Sequence, residues 1–373
     1  MNKHKLISLT LGLLIMVIIS GCANTAGTVS SWPGVEVEDK SGFFAYGSQI
    51  FAIDTRNGTL LWQYPQEPSA NVQFYAAPAV TDDLVIAGSY ANTLVAVNKS
   101  NGMEKWKFNQ AGDRYIGSPL VYEDMIFAPN SDGILYALNA DGDLLWKFKA
   151  AGPNWTKPLA DGVNVYLASM DHYVYGLKMR YSVDELTLDE NGGRTMVPDP
   201  LWKTDVGAAI VANPVLKDSN IFVATIEGHL YCIDANSGRL KWTFKNGDGY
   251  RSVWGSLVVT DEALFFGDEA GNVYAISTIS GEPLWPTPYS AGASVIPGGV
   301  LTDEGPLFVN HEGRAFIINV DKEPRPVVSL NTVIYSPPKI TDSRVILAPA
   351  TREKLFMAID LNGNEIWSFA PSE

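Results

Sequence analysis

At 373 residues, 46% hydrophobic and 11% aromatic, the chain holds enough apolar side chain for one large core or several smaller ones. Its 41 acidic against 27 basic residues give a formal net charge of −14, which excludes a surface drawn to nucleic acid by its overall field. With 33 glycines and 22 prolines it is richer in turn residues than an α-rich protein.

Lys3 and Lys5 precede an apolar run from Leu6 to Ile19. The run is too short and too terminal for a membrane span, so it reads as a signal peptide. At its end, Ile19-Ser20-Gly21-Cys22 resembles a lipobox, the motif at which bacterial lipoproteins are diacylated on cysteine and cleaved before it. Residues 1–21 are then a lipoprotein signal peptide, and 22–31 a lipidated Cys22 with a small, polar tether. Such a tether spans roughly 15–18 Å root-mean-square, which keeps the following domain close to a bilayer. Several acyl chains on one residue anchor stably where a single chain does not. Cleavage removes Lys3 and Lys5 and leaves 25 basic against 41 acidic residues, a net −16. Cys232, in the run Leu230-Tyr231-Cys232-Ile233, reads as a small buried hydrophobe. With Cys22 lipidated it has no disulfide partner.

From residue 32 one pattern recurs. Ala52-Ile53-Asp54 leads through Gly58 to Trp62, and Ala96-Val97-Asn98 through Gly102 to Trp106. Ala137-Leu138-Asn139 leads through Gly142 to Trp146, and Cys232-Ile233-Asp234 through Gly238 to Trp242. Ala275-Ile276-Ser277 reaches Trp285 and Ala358-Ile359-Asp360 reaches Trp367. Two copies are degenerate: Gly176-Leu177-Lys178 reaches Trp202 only after an insertion over Tyr181 to Pro200, and Ile317-Ile318-Asn319 reaches Val327 where tryptophan is expected. Tryptophan spacings of 44, 40 and 40 residues (62 to 106 to 146, then 202 to 242) suit a four-stranded unit.

Upstream of each copy lie further short strands, starting at Pro78, Pro119, Pro158, Pro214, Leu257, Gly299 and Pro338. The expected fold is all-β: an eight-bladed β-propeller of four-stranded antiparallel blades over 32–373. Asp or Asn before the turn is placed to bond turn amides, and glycine supplies its left-handed backbone. Trp62, Trp106, Trp146, Trp202, Trp242, Trp285 and Trp367 are large enough to dock between blades. The acidic turn Asn139 to Asp143 has too few oxygens for a calcium loop.

The motif Ala-x-Asp-x-x-x-Gly-x-x-x-Trp in eight copies resembles the tryptophan-docked repeats of quinoprotein-type (PQQ-like) propellers. With the lipobox in front, the architecture is similar to the BamB family of outer-membrane assembly lipoproteins. The resemblance implies a monomeric, non-catalytic scaffold for protein partners, with a β-barrel assembly complex among them. It implies anchoring at the outer membrane facing the periplasm, or on the outer leaflet in a one-membrane organism. Ala23, where an inner-membrane retention signal would carry Asp, agrees with the former. The related PQQ-dependent dehydrogenases carry an adjacent Cys-Cys pair that this chain lacks, so no cofactor is expected.

No Gly-x-Ser-x-Gly, Walker loop, His-Glu-x-x-His or Cys-x-x-Cys is present, so no catalytic residue and no metal ligand is assigned. His172, His229 and His311 fall at loop hairpins, as do the carboxylates Asp171, Glu227, Asp268 and Glu312. These read as solvated turn residues or an acidic rim. The candidate binding constellation lies just before the inner strands. Tyr75, Trp155, Trp254 and Tyr335 stand three residues before Pro78, Pro158, Leu257 and Pro338, where other blades have Ile116, Val211 and Ile296. Arg114, Lys157 and Arg251 lie close by. Aromatics with cations at a channel mouth suit a peptide, glycan or aromatic ligand.

Overall fold

The computed structural model describes residues 33–69, 71–187, 196–197, 199–245, 251–349, 351 and 353–371. The lipobox, Cys22 and the tether lie outside them. Eight four-stranded antiparallel sheets form, each from four consecutive strands. They run over Gly34–Tyr64, Ala79–Phe108, Leu120–Lys149, Leu159–Asp205, Val215–Phe244, Val258–Ser290, Gly298–Ser329 and Lys339–Phe369, here blades one to eight. The only helix among the described residues is a single 3₁₀ turn, Val183–Glu185.

The middle strands explain why the sequence shows apolar runs rather than clean alternation. Leu84–Gly88 and Met125–Pro129 have neighbouring blades on both faces, so nearly every side chain is buried. Outer strands such as Leu60–Tyr64 bury only one or two residues. Eight apolar clusters result, and each straddles two neighbouring blades. Phe43, Ala52 and Trp62 of blade one pack with Val85 and Val95 of blade two. Phe44 and Phe51 of blade one pack with Phe356 and Trp367 of blade eight, which closes the ring.

One hydrogen bond marks most junctions. The indole N–H of each docking tryptophan donates to the carbonyl just after the Asp/Asn position of the next blade. Trp62 reaches Lys99 (2.8 Å), Trp106 Ala140 (2.9 Å), Trp202 Ala235 (3.0 Å) and Trp242 Thr278 (3.0 Å). Trp285 reaches Val320 (2.6 Å) and Trp367 reaches Thr55 across the seam (2.7 Å). The indole lies on the turn glycine: a Cβ on Gly102, whose φ is +70°, would sit 2.7 Å from Trp62. The Asp/Asn side chains hold the turn from within, as when Asn98 Oδ1 accepts from Ser100 N at 2.9 Å.

Blade seven departs from the sequence expectation. Val327 does not take the tryptophan position. In blades one to five and in blade eight the tryptophan pairs with the residue two before the Asp/Asn position, as Trp62 does with Ala52. In blade seven Ile317 pairs with Arg325, and the bulge has moved to between Ala315 and Phe316. Arg325 sends its Nη1 to the carbonyl of Leu361 (2.9 Å), the residue after Asp360, and pairs with Glu304. A guanidinium thus fills the place of the indole donor. Val327 is buried in the cluster between blades seven and eight.

The insertion in blade four replaces a glycine turn. Trp146 donates to Met179 O (3.0 Å), and Tyr181 packs edge-on against its indole at 5.5 Å. The described end of the insertion turns back onto blade three, where Val197 N donates to Lys147 O at 3.0 Å. Arg180 clamps Glu123 (3.0 Å) and Asp124 in the first turn of that blade. Met196 and Val197 therefore lie along the outer strand Leu144–Lys149 of the neighbouring sheet.

The turn carboxylates make stability depend on acid pH. The Arg56 guanidinium and backbone N–H hold the Asp54 carboxyl down at about 2. Ser237 and Lys241 do the same for Asp234. A carboxyl depressed on folding contributes stability that is whole above its unfolded value, near 3.9, and fades as pH falls through the folded value. Unfolding free energy measured between pH 4.5 and 2 is therefore expected to fall less steeply for Asp54→Asn than for the wild type.

Candidate functional site

The connector entering each blade and the hairpin between its second and third strands share one face. A repeated backbone bond ties them together: Tyr90 N donates to Gln73 O, Ser131 N to Arg114 O, and Met170 N to Pro153 O. Ile226 N, Glu269 N and His311 N donate likewise to Ala209 O, Ser252 O and Ser294 O. The common register makes Tyr75, Ile116, Trp155, Val211, Trp254 and Ile296 equivalent. The residue before each, such as Phe74, Tyr115, Val253 or Val295, is buried between blades. By strand-like alternation the named side chains turn the other way, toward the mouth.

Six of the seven candidates share this face but do not form one cluster. Tyr75 stacks on Tyr90 (centroids 4.1 Å), and Arg114 lies over the Tyr90 ring at 5.2 Å, a cation–aromatic pile. Trp155 donates its indole N–H to Ser131 Oγ (3.1 Å). Arg251, exposed, donates to Tyr274 OH (3.3 Å). Trp254 is 37% exposed, the most open tryptophan among the described residues. Tyr335 meets the His311 ring edge-on at 4.7 Å.

Lys157 lies elsewhere. It is half-buried, and burial lowers its amine pKa, with Glu36 raising it and Lys339 lowering it further. Glu36 and Lys339 stand on the innermost strands of blades one and eight and pair at 3.0 Å. In a ring of eight, blade four stands opposite blade eight, so a blade-four amine in electrostatic range of both groups projects into the central lumen. Glu36 and Lys339 were not singled out from sequence. They hold matching places on inner strands, but nothing local connects residues so far apart in the chain.

Of the four hairpin carboxylates, Glu227 and Glu312 stay solvent-accessible at their turns, whereas Asp171 and Asp268 are fastened to tyrosines. Asp268 is 1% exposed and accepts from Asn272 N (2.8 Å) and Tyr274 OH (2.9 Å). Asp171 accepts from Tyr175 OH (2.6 Å), and Asp132 from Tyr136 OH (2.7 Å). An acidic residue in the hairpin with tyrosine on the third strand is thus a fastening device, which sequence inspection passed over. His172, His229 and His311 sit in three separate hairpins, and no cluster of metal-ligating side chains occurs among the described residues.

Ring, repeat and docking geometry together define an eight-bladed, tryptophan-docked β-propeller. A sequence profile of the family described as outer membrane protein assembly factor BamB matches residues 46–195 and 198–323. The chain belongs to that family. It is 28% identical to the outer membrane protein assembly factor BamB of Shigella dysenteriae serotype 1 over 184 residues, 46% of this chain and 42% of that one. Enzymes share the repeat too. Identity is 23% with a tetrathionate hydrolase of Acidithiobacillus ferrooxidans (46% of this chain, 37% of that one). It is 23% with the quinoprotein alcohol dehydrogenase PedH of Pseudomonas putida (53% and 36%). The alignments thus span less than half the length of these relatives. The crystal structure of BamB from Moraxella catarrhalis superposes with a TM-score of 0.67 at 17% identity, covering 88% of this chain and 91% of that one, a likeness of fold.

Proposed function

We propose that the chain is a non-catalytic, lipid-anchored scaffold that binds protein partners in the assembly of outer-membrane proteins. The observation that carries this reading is the family match across residues 46–195 and 198–323. It is supported by the lipobox ending at Cys22 and by the open face carrying Trp254, Arg251, Arg114 and the Tyr75–Tyr90 stack. Large aromatics and arginine on an exposed face are the residue types that dominate protein interfaces. The repeat is shared with enzymes, so fold alone does not decide the matter. The cysteines of the sequence are Cys22 and Cys232, so the adjacent pair that a quinoprotein resemblance implies is missing.

Affinity-tagged full-length protein, purified from detergent-solubilised envelopes, is expected to bring down a β-barrel assembly subunit. The double variant Arg251→Ala, Trp254→Ala should lower that recovery at least several-fold while keeping the wild-type far-ultraviolet spectrum. Recovery of no such subunit would remove the assembly role.

A further inference from the structure

We infer that the cleft between the first hairpins of blades two and three is a docking site for a lysine-bearing segment of a protein partner. The cleft has a volume of about 350 Å³ and lies on the face opposite the blade connectors. Its floor is the end of the apolar cluster that joins the two blades: Leu84 and Val121 are half-buried there, and Ile126 is buried. Its rim carries five carboxylates, on Glu38, Asp82, Asp83, Glu123 and Asp124. Lys99 takes Glu38, and Arg180 takes Glu123 (3.0 Å) and Asp124. Asp82 and Asp83 are exposed, and no ion pair to either occurs among the described residues. The rim therefore keeps a surplus of negative charge above an apolar floor.

The occupant follows from the repeat. The same cleft recurs between blades five and six, smaller at about 260 Å³, and there Lys217 of blade five reaches Asp261 of blade six across it. By ladder register Thr81 and Glu123 hold the corresponding places in blades two and three. Blade two thus offers no amine to its own cleft, and a lysine from another chain supplies the missing one. The aliphatic stem covers Leu84 and Val121 while the ammonium stays at the wet carboxylate rim. One exposed ion pair contributes little, so apolar contact and several carboxylates together select the guest. Among the described residues no three carboxylates converge closely enough to hold a metal ion, so the rim suits separate cations along a chain. The cleft is separate from the face carrying Trp254 and Arg251, and lysine docking requires no assembly role.

Fluorescence anisotropy of a labelled acetyl-Gly-Lys-Gly-Lys-Gly amide, titrated with the purified full-length protein at pH 7 and about 0.15 M salt, tests it; at that ionic strength distant charges are screened. The lysine peptide is expected to bind at one saturable site, and its counterpart with norleucine at both lysines roughly tenfold weaker. Asp82→Asn with Asp83→Asn should weaken the lysine peptide roughly fivefold. Asp218→Asn with Glu262→Gln, the same loss of charge on the first hairpins of blades five and six, should leave binding unchanged. Thr81→Lys, which gives blade two the amine that blade five has, should fill the cleft and abolish binding. Thermal melts of the variants check the fold. No saturable binding, equal binding of the norleucine peptide, equal losses in the two charge-matched variants, or full binding by Thr81→Lys would overturn the proposal. The envelope purification described above reads the other face and stands or falls separately.

Discussion

Replacing Trp146 with alanine is expected to destabilise the propeller by about 3–5 kcal/mol, as large aromatic truncations in packed cores do. Trp146 is 2% exposed and sits in a cluster drawn from blades three and four, including Phe127, Leu177 and Val197. No solvent reaches the space it would leave, so the lining side chains lose their contacts outright. Its N–H also satisfies Met179 O, and truncation leaves that carbonyl without its partner. Trp146→Phe separates the two contributions: it keeps most of the apolar contact and gives up the donor, for an expected loss of about 1–3 kcal/mol. Denaturant titration of both variants decides the point. A loss below about 1 kcal/mol for the alanine variant would mean that the indole does not hold the junction.

Gly102→Ala carries the second large effect, about 2–4 kcal/mol, from two sources. The backbone at φ +70° resists any side chain, and the new methyl would lie 2.7 Å from Cε3 and 2.8 Å from Cδ2 of Trp62. These sources can be parted. In a Trp62→Ala background the steric component vanishes while the backbone component stays, so the glycine substitution should cost distinctly less there. Contacting residues show such non-additivity, whereas independent ones add within a few tenths of a kcal/mol. Equal costs in the two backgrounds would contradict docking of the indole on this turn.

The repeat was legible because its chemistry is local. Asp, Gly and Trp lie within about ten residues, and each does its work through a turn or the facing strand. Blade boundaries followed from the same pattern. The reading failed where counting along the chain and pairing across the ladder part company. Val327 is eight residues after Asn319, as Trp62 is after Asp54, but a displaced bulge puts Arg325 at the docking position. A bulge is a two-strand property that one strand does not reveal. Asp268 looked like a solvated turn residue and is instead buried under Tyr274, because its partner sits on the following strand. The lumen group was the least legible. Glu36, Lys157 and Lys339 come from three blades, and only closure of the ring brings them together.

Each blade is one uninterrupted stretch of chain, and the meeting of blades one and eight uses the same means as the other junctions. Trp367 docks on Thr55, Ser336 Oγ donates to Pro33 O, and Lys339 pairs with Glu36. Among the described residues no strand from one terminus completes a sheet begun by the other. The circle thus has no privileged starting point. A polypeptide rejoined across the present seam and opened at another connector would rebuild every ladder without rethreading. Gain or loss of a whole unit by duplication or deletion would alter curvature alone and leave each sheet intact.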